Sequence, residues 1–257
     1  MAEPTKPPSA GVIRFDAQGL PVVDDSKLEQ VIAQQEKRVV QSSLQHSKDV
    51  KIDLLRRWGV AVQDARLVCT PSELEPTAAI QYADAFLAGR GVVDDAASND
   101  GDQRQAAPRK KTIAVFAGPL GVGKTVAAAH VLAHANPQRI VGTWSSQEHP
   151  VFVHAESVFA GAKLVGESDK AMRRKLQRAQ VLVIDDLGLE KDPRRTFQPY
   201  MDWLINTRYG GDGWTVLTTN LTVEDFRKRY GERIYDRLRH RACWYEIAHE
   251  SLRGKEG

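Results

Sequence analysis

Cysteine is nearly absent from this 257-residue chain: only Cys69 and Cys243 occur, and they form no Cys-x-x-Cys pair. A thiolate zinc site and a disulfide framework are therefore both disfavoured. No run of about 18 apolar residues exists, so no segment reads as a membrane-spanning helix. The N-terminal stretch MAEPTKPPSAG lacks an apolar core and a cleavage signal, which argues against secretion. An excess of charge of one sign is missing too: 36 Lys and Arg face 33 Asp and Glu, a net +3. Whole-chain charge thus announces neither a nucleic-acid nor a membrane partner, although it leaves room for a local patch. The expectation is a cytoplasmic protein with no membrane association.

What is present is ordinary globular material, 42% hydrophobic and 27% charged. The length suits one α/β domain with a smaller appendage. Residues 1–20, rich in Pro, Gly and Ala, read as a flexible leader. From Asp24 to Trp58 a long polar segment carries an imperfect helical stripe of Leu28, Val31, Ile32, Val39, Leu44, Leu54 and Leu55. Two readings are open for it: a solvated helix, or a docking arm that gains order on a partner. A second helix is expected over 76–89, started by the cap-like Thr70-Pro71-Ser72-Glu73. The segment 89–111 is small, polar and without periodicity, as in a surface loop or linker. These features divide the chain into a helical N-terminal region, 1–71, and a larger domain, 72–257.

From Lys111 onward short apolar runs alternate with helical patterns. Strand-like runs lie at 112–117 (TIAVFA), 151–155 (VFVHA), 181–185 (VLVID), 215–219 (TVLTT) and 244–247 (WYEI). Helical stretches are expected near 124–134, 156–178, 197–208 and 222–239. Such alternation implies crossovers and a five-stranded parallel sheet covered by helices on both faces.

Four segments carry chemistry. Gly118-Pro-Leu-Gly-Val-Gly-Lys-Thr125 fits G-x4-G-K-[ST] in full, with a strand before it and a helix after it. Gly121 and Gly123 let the backbone curl so that successive N–H groups point at phosphate oxygens. The helix starting near Lys124 aims its positive end at the same anion. Lys124 is expected to reach the β- and γ-phosphates, and the Thr125 hydroxyl to bind Mg²⁺. Gly118, Pro119, Val122 and Val126 complete the candidate ATP contacts. In VLVIDDLG, residues 181–188, a buried strand ends in two carboxylates. Asp185 is assigned to Mg²⁺ and Asp186 to polarising the attacking water; the plainer alternative is a solvated Asp-Asp turn. In TVLTTNL, residues 215–221, Asn220 at a strand end is placed to meet a γ-phosphate or lytic water, or else merely caps the next helix. The arginine-rich stretch 227–241 offers an arginine to a neighbouring subunit's nucleotide, or is a solvated basic helix. A further basic cluster, 170–178, could meet nucleic-acid phosphates, or form the charged outer face of a helix covering the sheet.

The motifs GPLGVGKT, VLVIDDLG, LINTRYGG, TVLTTNL, GERIYDRL and HESLRGKE occur in this order. Together they resemble the AAA+ ATPases of the bacterial DnaC/IstB type, over residues 72–257. That group holds replicative helicase loaders and transposition helper ATPases. The resemblance implies Lys124 and Thr125 as Walker A residues, Asp185 and Asp186 as Walker B, and Asn220 as sensor I. It also implies Arg237 as an arginine finger acting in trans in a head-to-tail homo-oligomer, and Arg253 as a sensor II-like residue. It implies an AAA+ fold without a C-terminal lid domain, and single-stranded DNA and a replicative DNA helicase as partners, the latter gripped by the N-terminal region. The leading expectation is helicase loading in DNA replication. The alternatives are a transposition helper, or a nucleotide-binding module with negligible turnover.

Overall fold

Strand residues of one parity meet one layer of helices, and those of the other parity meet a second. That two-residue alternation explains why five apolar runs become a single covered sheet. The computed structural model describes residues 13–15, 21–23, 25–89, 111–135, 149–162, 167–192, 196–209 and 213–248. In chain order the elements are β1 (Ile13–Phe15), β2 (Pro21–Val23), α1 (Asp25–Arg57), α2 (Val62–Val68), α3 (Ala78–Leu87), β3 (Ile113–Ala117), α4 (Lys124–His134), β4 (Val151–His154), α5 (Ala155–Ala162) and α6 (Glu167–Arg178). They continue with β5 (Val181–Leu187), α7 (Phe197–Tyr209), β6 (Trp214–Thr219), α8 (Val223–Tyr230), α9 (Glu232–Arg241) and β7 (Ala242–Glu246). The chain divides into two compact units, residues 1–51 and 52–257. The division falls upstream of the expected boundary after residue 71, because Leu55, Val60, Ala65 and Val68 pack into the core of the larger unit.

In the larger unit the strands run β4-β5-β6-β3-β7, every neighbouring pair parallel. Ala114 and Phe116 of β3 and Val181 and Val183 of β5 face a layer formed by α2, α3 and α4. Ile113, Val115, Leu182 and Ile184 face α5, α7, α8 and α9 on the other side. The central strands β5, β6 and β3 end side by side, and the expected site residues follow those ends.

All five expected strands form. Three helical expectations change. The 156–178 stretch is two helices, α5 and α6. The 222–239 stretch breaks at Gly231, whose φ of 92° suits a residue without a Cβ, and becomes α8 and α9. The helix expected over 76–89 is capped by Thr77, whose hydroxyl accepts from the Ile80 amide at 3.3 Å, and not by the Thr70–Glu73 segment. Sequence reading missed α2, a helix of 7 residues. It also missed the antiparallel β1–β2 pair inside the expected leader. In the smaller unit α1 dominates. Its side chains Val39, Val40 and Leu44 are exposed. Residues 90–110 and Arg253 lie outside the described residues.

Candidate nucleotide-binding site

Three consecutive turns build the site: the loop after β3, the end of β5 and the end of β6. The β3 loop needs its glycines. Gly121 and Gly123 have φ of 83° and 87°, in the left-handed region. Gly123 is the N-cap of α4 and offers no side chain to the orphan amides of the first turn. Gly118 is tight for another reason. A Cβ there would lie 2.5 Å from the Ile247 carbonyl oxygen, while the Ile247 amide donates to the Ala117 carbonyl at 2.8 Å. The Val122 side chain is buried in the core and anchors the loop. Lys124 is buried, and its Nζ donates to the carbonyls of Gly118 at 2.9 Å and Pro119 at 2.6 Å. The ammonium thus points into its own loop, where a phosphate would compete for it.

At the β5 end the two carboxylates differ sharply. Asp185 is 1% exposed, so the solvated-turn alternative does not hold for it. Its Oδ1 accepts from the Thr218 hydroxyl at 2.6 Å, and both its oxygens lie 3.2 Å from Thr125 Oγ1. Burial pushes its pKa up, and the neighbouring Asp186 adds to that. The Thr218 hydroxyl, His154 and Thr125 pull the other way. Asp186 has a φ of 60°, unlike any other non-glycine among the described residues. Its amide donates to Thr218 Oγ1 at 2.9 Å. Such a backbone conformation is strained for a residue with a Cβ, and strain of this kind clusters at functional sites.

At the β6 end the capping alternative for Asn220 fails. Thr222 caps α8, accepting from the Asp225 amide at 3.1 Å. The Asn220 Oδ1 atom is instead buried with no hydrogen-bond partner among the described residues. A buried carboxamide oxygen left unpaired costs about 1–3 kcal/mol, which the O–H of a bound water would relieve.

Sequence reading missed His154 and Thr218. His154 stands opposite Asp185 in the β4–β5 register, with Nδ1 3.5 Å from Asp185 Oδ2. Ligand atoms of His154, Asp185 and Asp186 lie within 4.8 Å of one another. His154 and Thr218 both lie in runs read as strands, but only the strand order sets those runs on either side of Asp185. Arg237 takes no place in the site within one chain. Its Nη1 donates to Asp202 Oδ1 at 2.5 Å, and its side chain is 18% exposed.

A strand, a glycine cradle, a buried carboxylate and an unpaired amide therefore meet at the ends of the three central strands. A family model described as IstB-like ATP binding protein matches residues 106–257, more than half of the chain. The chain belongs to this family. The match bears out the IstB-type, ATP-binding family expected from sequence, and the structure has the expected five-stranded parallel sheet behind its P-loop. No curated protein matches the chain. Among solved structures it is similar to a protein from Streptococcus pyogenes serotype M3 proposed to be a primosome component. That match has 16% identity and a TM-score of 0.51, over 78% of this chain and 97% of that one. The DnaC helicase loader matches at 18% identity and a TM-score of 0.46, over 65% and 86% of the two chains. DnaI matches at 24% identity and a TM-score of 0.45, over 68% and 82%. At these identities the likeness is one of fold. Among the described residues no helix is long and apolar enough to cross a membrane.

The Asp185 environment yields a prediction. A carboxylate whose folded pKa is raised loses stability for the fold as pH climbs from its ordinary value through the raised one. At neutral pH, without metal or nucleotide, its ionised form is a cost. Asp185→Asn is therefore expected to melt higher than the unaltered chain in the absence of metal and nucleotide. The gain from adding Mg²⁺ and ATP is expected to disappear. Calorimetry with and without Mg²⁺-ATP checks both, and an unchanged ligand-induced gain would remove Asp185 from the metal site.

Proposed function

We propose that this chain binds ATP with Mg²⁺, hydrolyses it, and uses the nucleotide state to control assembly on single-stranded DNA and on a replicative helicase. The observation that carries this reading is the arrangement in which the Gly121–Gly123 turn, the buried Lys124 and the Thr125–Asp185 contact converge on one point. The residues fit the group. Backbone amides from Gly121 to Val126 and the Lys124 ammonium hold the triphosphate, with Gly118, Pro119 and Val122 shaping the loop. Thr125 and Asp185 would hold Mg²⁺, which when bound would supply positive charge to neutralise that developing on the phosphates. Asp186 accepts the proton of the attacking water as its oxygen bonds to the γ-phosphorus and the bond to ADP breaks. Asn220 orients that water. Arg237 of a neighbouring copy stabilises the transferring group, and head-to-tail contacts of this kind generate rings or spirals. Arg253 serves as the sensor II-like contact.

On this reading Arg237 must leave Asp202 to serve its neighbour. Arg237→Ala is expected to keep ATP affinity within about threefold and to lower turnover about 10³-fold, the scale of a lost arginine finger. Mixing it with Asp186→Asn restores activity, because each chain then supplies what the other lacks. Steady-state turnover across mixing ratios checks this. Co-assembly without rescue would count against a trans role.

Exposed Arg174 and Lys175 on α6 are offered to DNA phosphates. Arg173 is not, since it is held by Asp169 at 2.8 Å and lies over the Tyr200 and Trp203 rings at 4.5 and 4.7 Å. The exposed Val40 and Leu44 of α1 are offered to the helicase. The full chain loaded with ATP is expected to retain a replicative helicase on a column. Val40→Asp with Leu44→Asp abolishes retention and leaves turnover unchanged. Retention of a transposase in place of a helicase would support the second reading, a transposition helper, which the name of the matching family favours.

A further inference from the structure

Beyond the three turns of the site, one buried charged cluster has no part in nucleotide contact. Glu190, four residues past Asp186, has a side chain 1% exposed. Its Oε1 accepts from Arg229 Nε at 2.8 Å and from the Tyr230 hydroxyl at 2.6 Å. Its Oε2 accepts from the Gly188 amide at 2.9 Å. Arg229 also donates through Nη2 to the Glu190 carbonyl. One carboxylate therefore grips both the segment leaving β5 and the last turn of α8, the helix that follows Asn220. Two further contacts lie along the same seam. Thr219 Oγ1 donates to the Leu187 carbonyl at 2.7 Å. The Leu221 side chain occupies the space a Cβ on Gly188 would need, at 2.8 Å.

A buried ion pair is a poor source of stability. Its desolvation offsets most of its attraction, and apolar residues of like volume hold a core as well. What it does supply is directional bonding between groups that must keep one geometry. The two groups linked here are the ones proposed above to act on a single water: Asp186, two residues before Gly188, and Asn220, next to Leu221. A misplacement of about 1 Å between such groups costs up to about 10²-fold in rate.

We infer that Glu190 is a positioning residue that, through Arg229 and Tyr230, fixes the β5 end bearing Asp186 against the β6–α8 turn bearing Asn220. This role rests on the ATPase reading above. Glu190 touches neither nucleotide nor metal; it acts by holding the two strand ends in register.

The test uses the full chain and two variants of graded severity. Tyr230→Phe removes one donor and keeps the ion pair; Glu190→Gln keeps the shape and removes the charge. ATP affinity and steady-state turnover, with and without single-stranded DNA, are measured where melting curves show every protein folded. Positioning predicts a fall in kcat of about tenfold or more for Glu190→Gln, with Tyr230→Phe between it and the unaltered chain. KM and ATP affinity are expected to stay within about threefold. Amide exchange is expected to quicken at 187–190 and 219–222 together. A merely structural role predicts a lower melting point with kcat unchanged, and that result overturns the inference. Should Glu190→Gln fail to fold, an unchanged kcat in Tyr230→Phe overturns it equally. If the unaltered chain binds ATP but never turns it over, the ATPase reading itself falls and takes this role with it. Normal turnover in all three proteins overturns the positioning role alone.

Discussion

Lys124→Ala is expected to abolish measurable ATP binding while the nucleotide-free protein melts within about 2 °C of the unaltered chain. The ammonium makes two charge-assisted bonds to the carbonyls of Gly118 and Pro119, at 2.9 and 2.6 Å. Those carbonyls belong to a loop whose neighbour Leu120 is exposed, so water replaces the lost donor at little cost. A triphosphate has no such substitute. Charge-assisted hydrogen bonds contribute about 1.5–3 kcal/mol each. Losing two of them weakens affinity by about two to four orders of magnitude. Titration calorimetry beside a thermal scan separates binding from folding. Unaltered ATP affinity in this variant would falsify the phosphate assignment and, with it, the proposed function.

Arg208→Met is expected to have the opposite profile, a large loss of stability with no specific effect on nucleotide. Arg208 is buried, and its guanidinium donates from Nε to Thr215 Oγ1 at 2.7 Å and from Nη2 to the Trp214 carbonyl at 2.6 Å. Its Nη1 reaches the carbonyls of Leu176, Gln177 and Ala179 at 3.0, 3.1 and 2.8 Å. Every one of these partners is uncharged. The compensating field comes from the C-terminal end of α6, where unpaired carbonyls carry partial negative charge. Burial pushes the guanidinium pKa down to about 10, still cationic at neutral pH. Methionine fills the volume but leaves the carbonyls of α6 and β6 without donors in a dry interior. Each buried acceptor left without its donor costs about 1–3 kcal/mol, and losing several lowers the melting point by about 10 °C or more. Arg208→Lys recovers only part, because an ammonium cannot span the fork. A melting point within about 2 °C of the unaltered chain would show that the network is dispensable.

These two residues mark what the sequence could and could not disclose. Lys124 was legible because phosphate binding imposes a spacing: a glycine turn, a lysine and a hydroxyl, between a strand and a helix. The β5 carboxylates were legible for a similar reason, since four apolar residues before Asp185 read as a buried strand. Arg208 was not, because its partners are main-chain carbonyls brought from α6, and no pattern of side chains records them. The Gly231 break was hidden because helical periodicity runs on through Tyr230 and Ile234 on both sides of it. The hydroxyl of Thr77, three residues ahead of Ile80, was a better cap than Thr70, but both satisfy the same local rule. His154 needed knowledge of strand order: only the β4–β5 pairing sets it beside Asp185. Local chemistry thus reached the first ring of the site, and topology supplied the second.

The missing Cβ at Gly118 has a wider consequence. Where the phosphate loop leaves β3, the chain emerging from the outermost strand of the sheet leans its own backbone into the vacancy, with no side chain acting as cushion. The two segments are 129 residues apart in sequence, yet they share a clearance smaller than a methyl group. Bulk at that point would wedge an edge strand from its neighbour before it ever disturbed a bound anion, so the loop's sparseness there serves the sheet as much as the ligand.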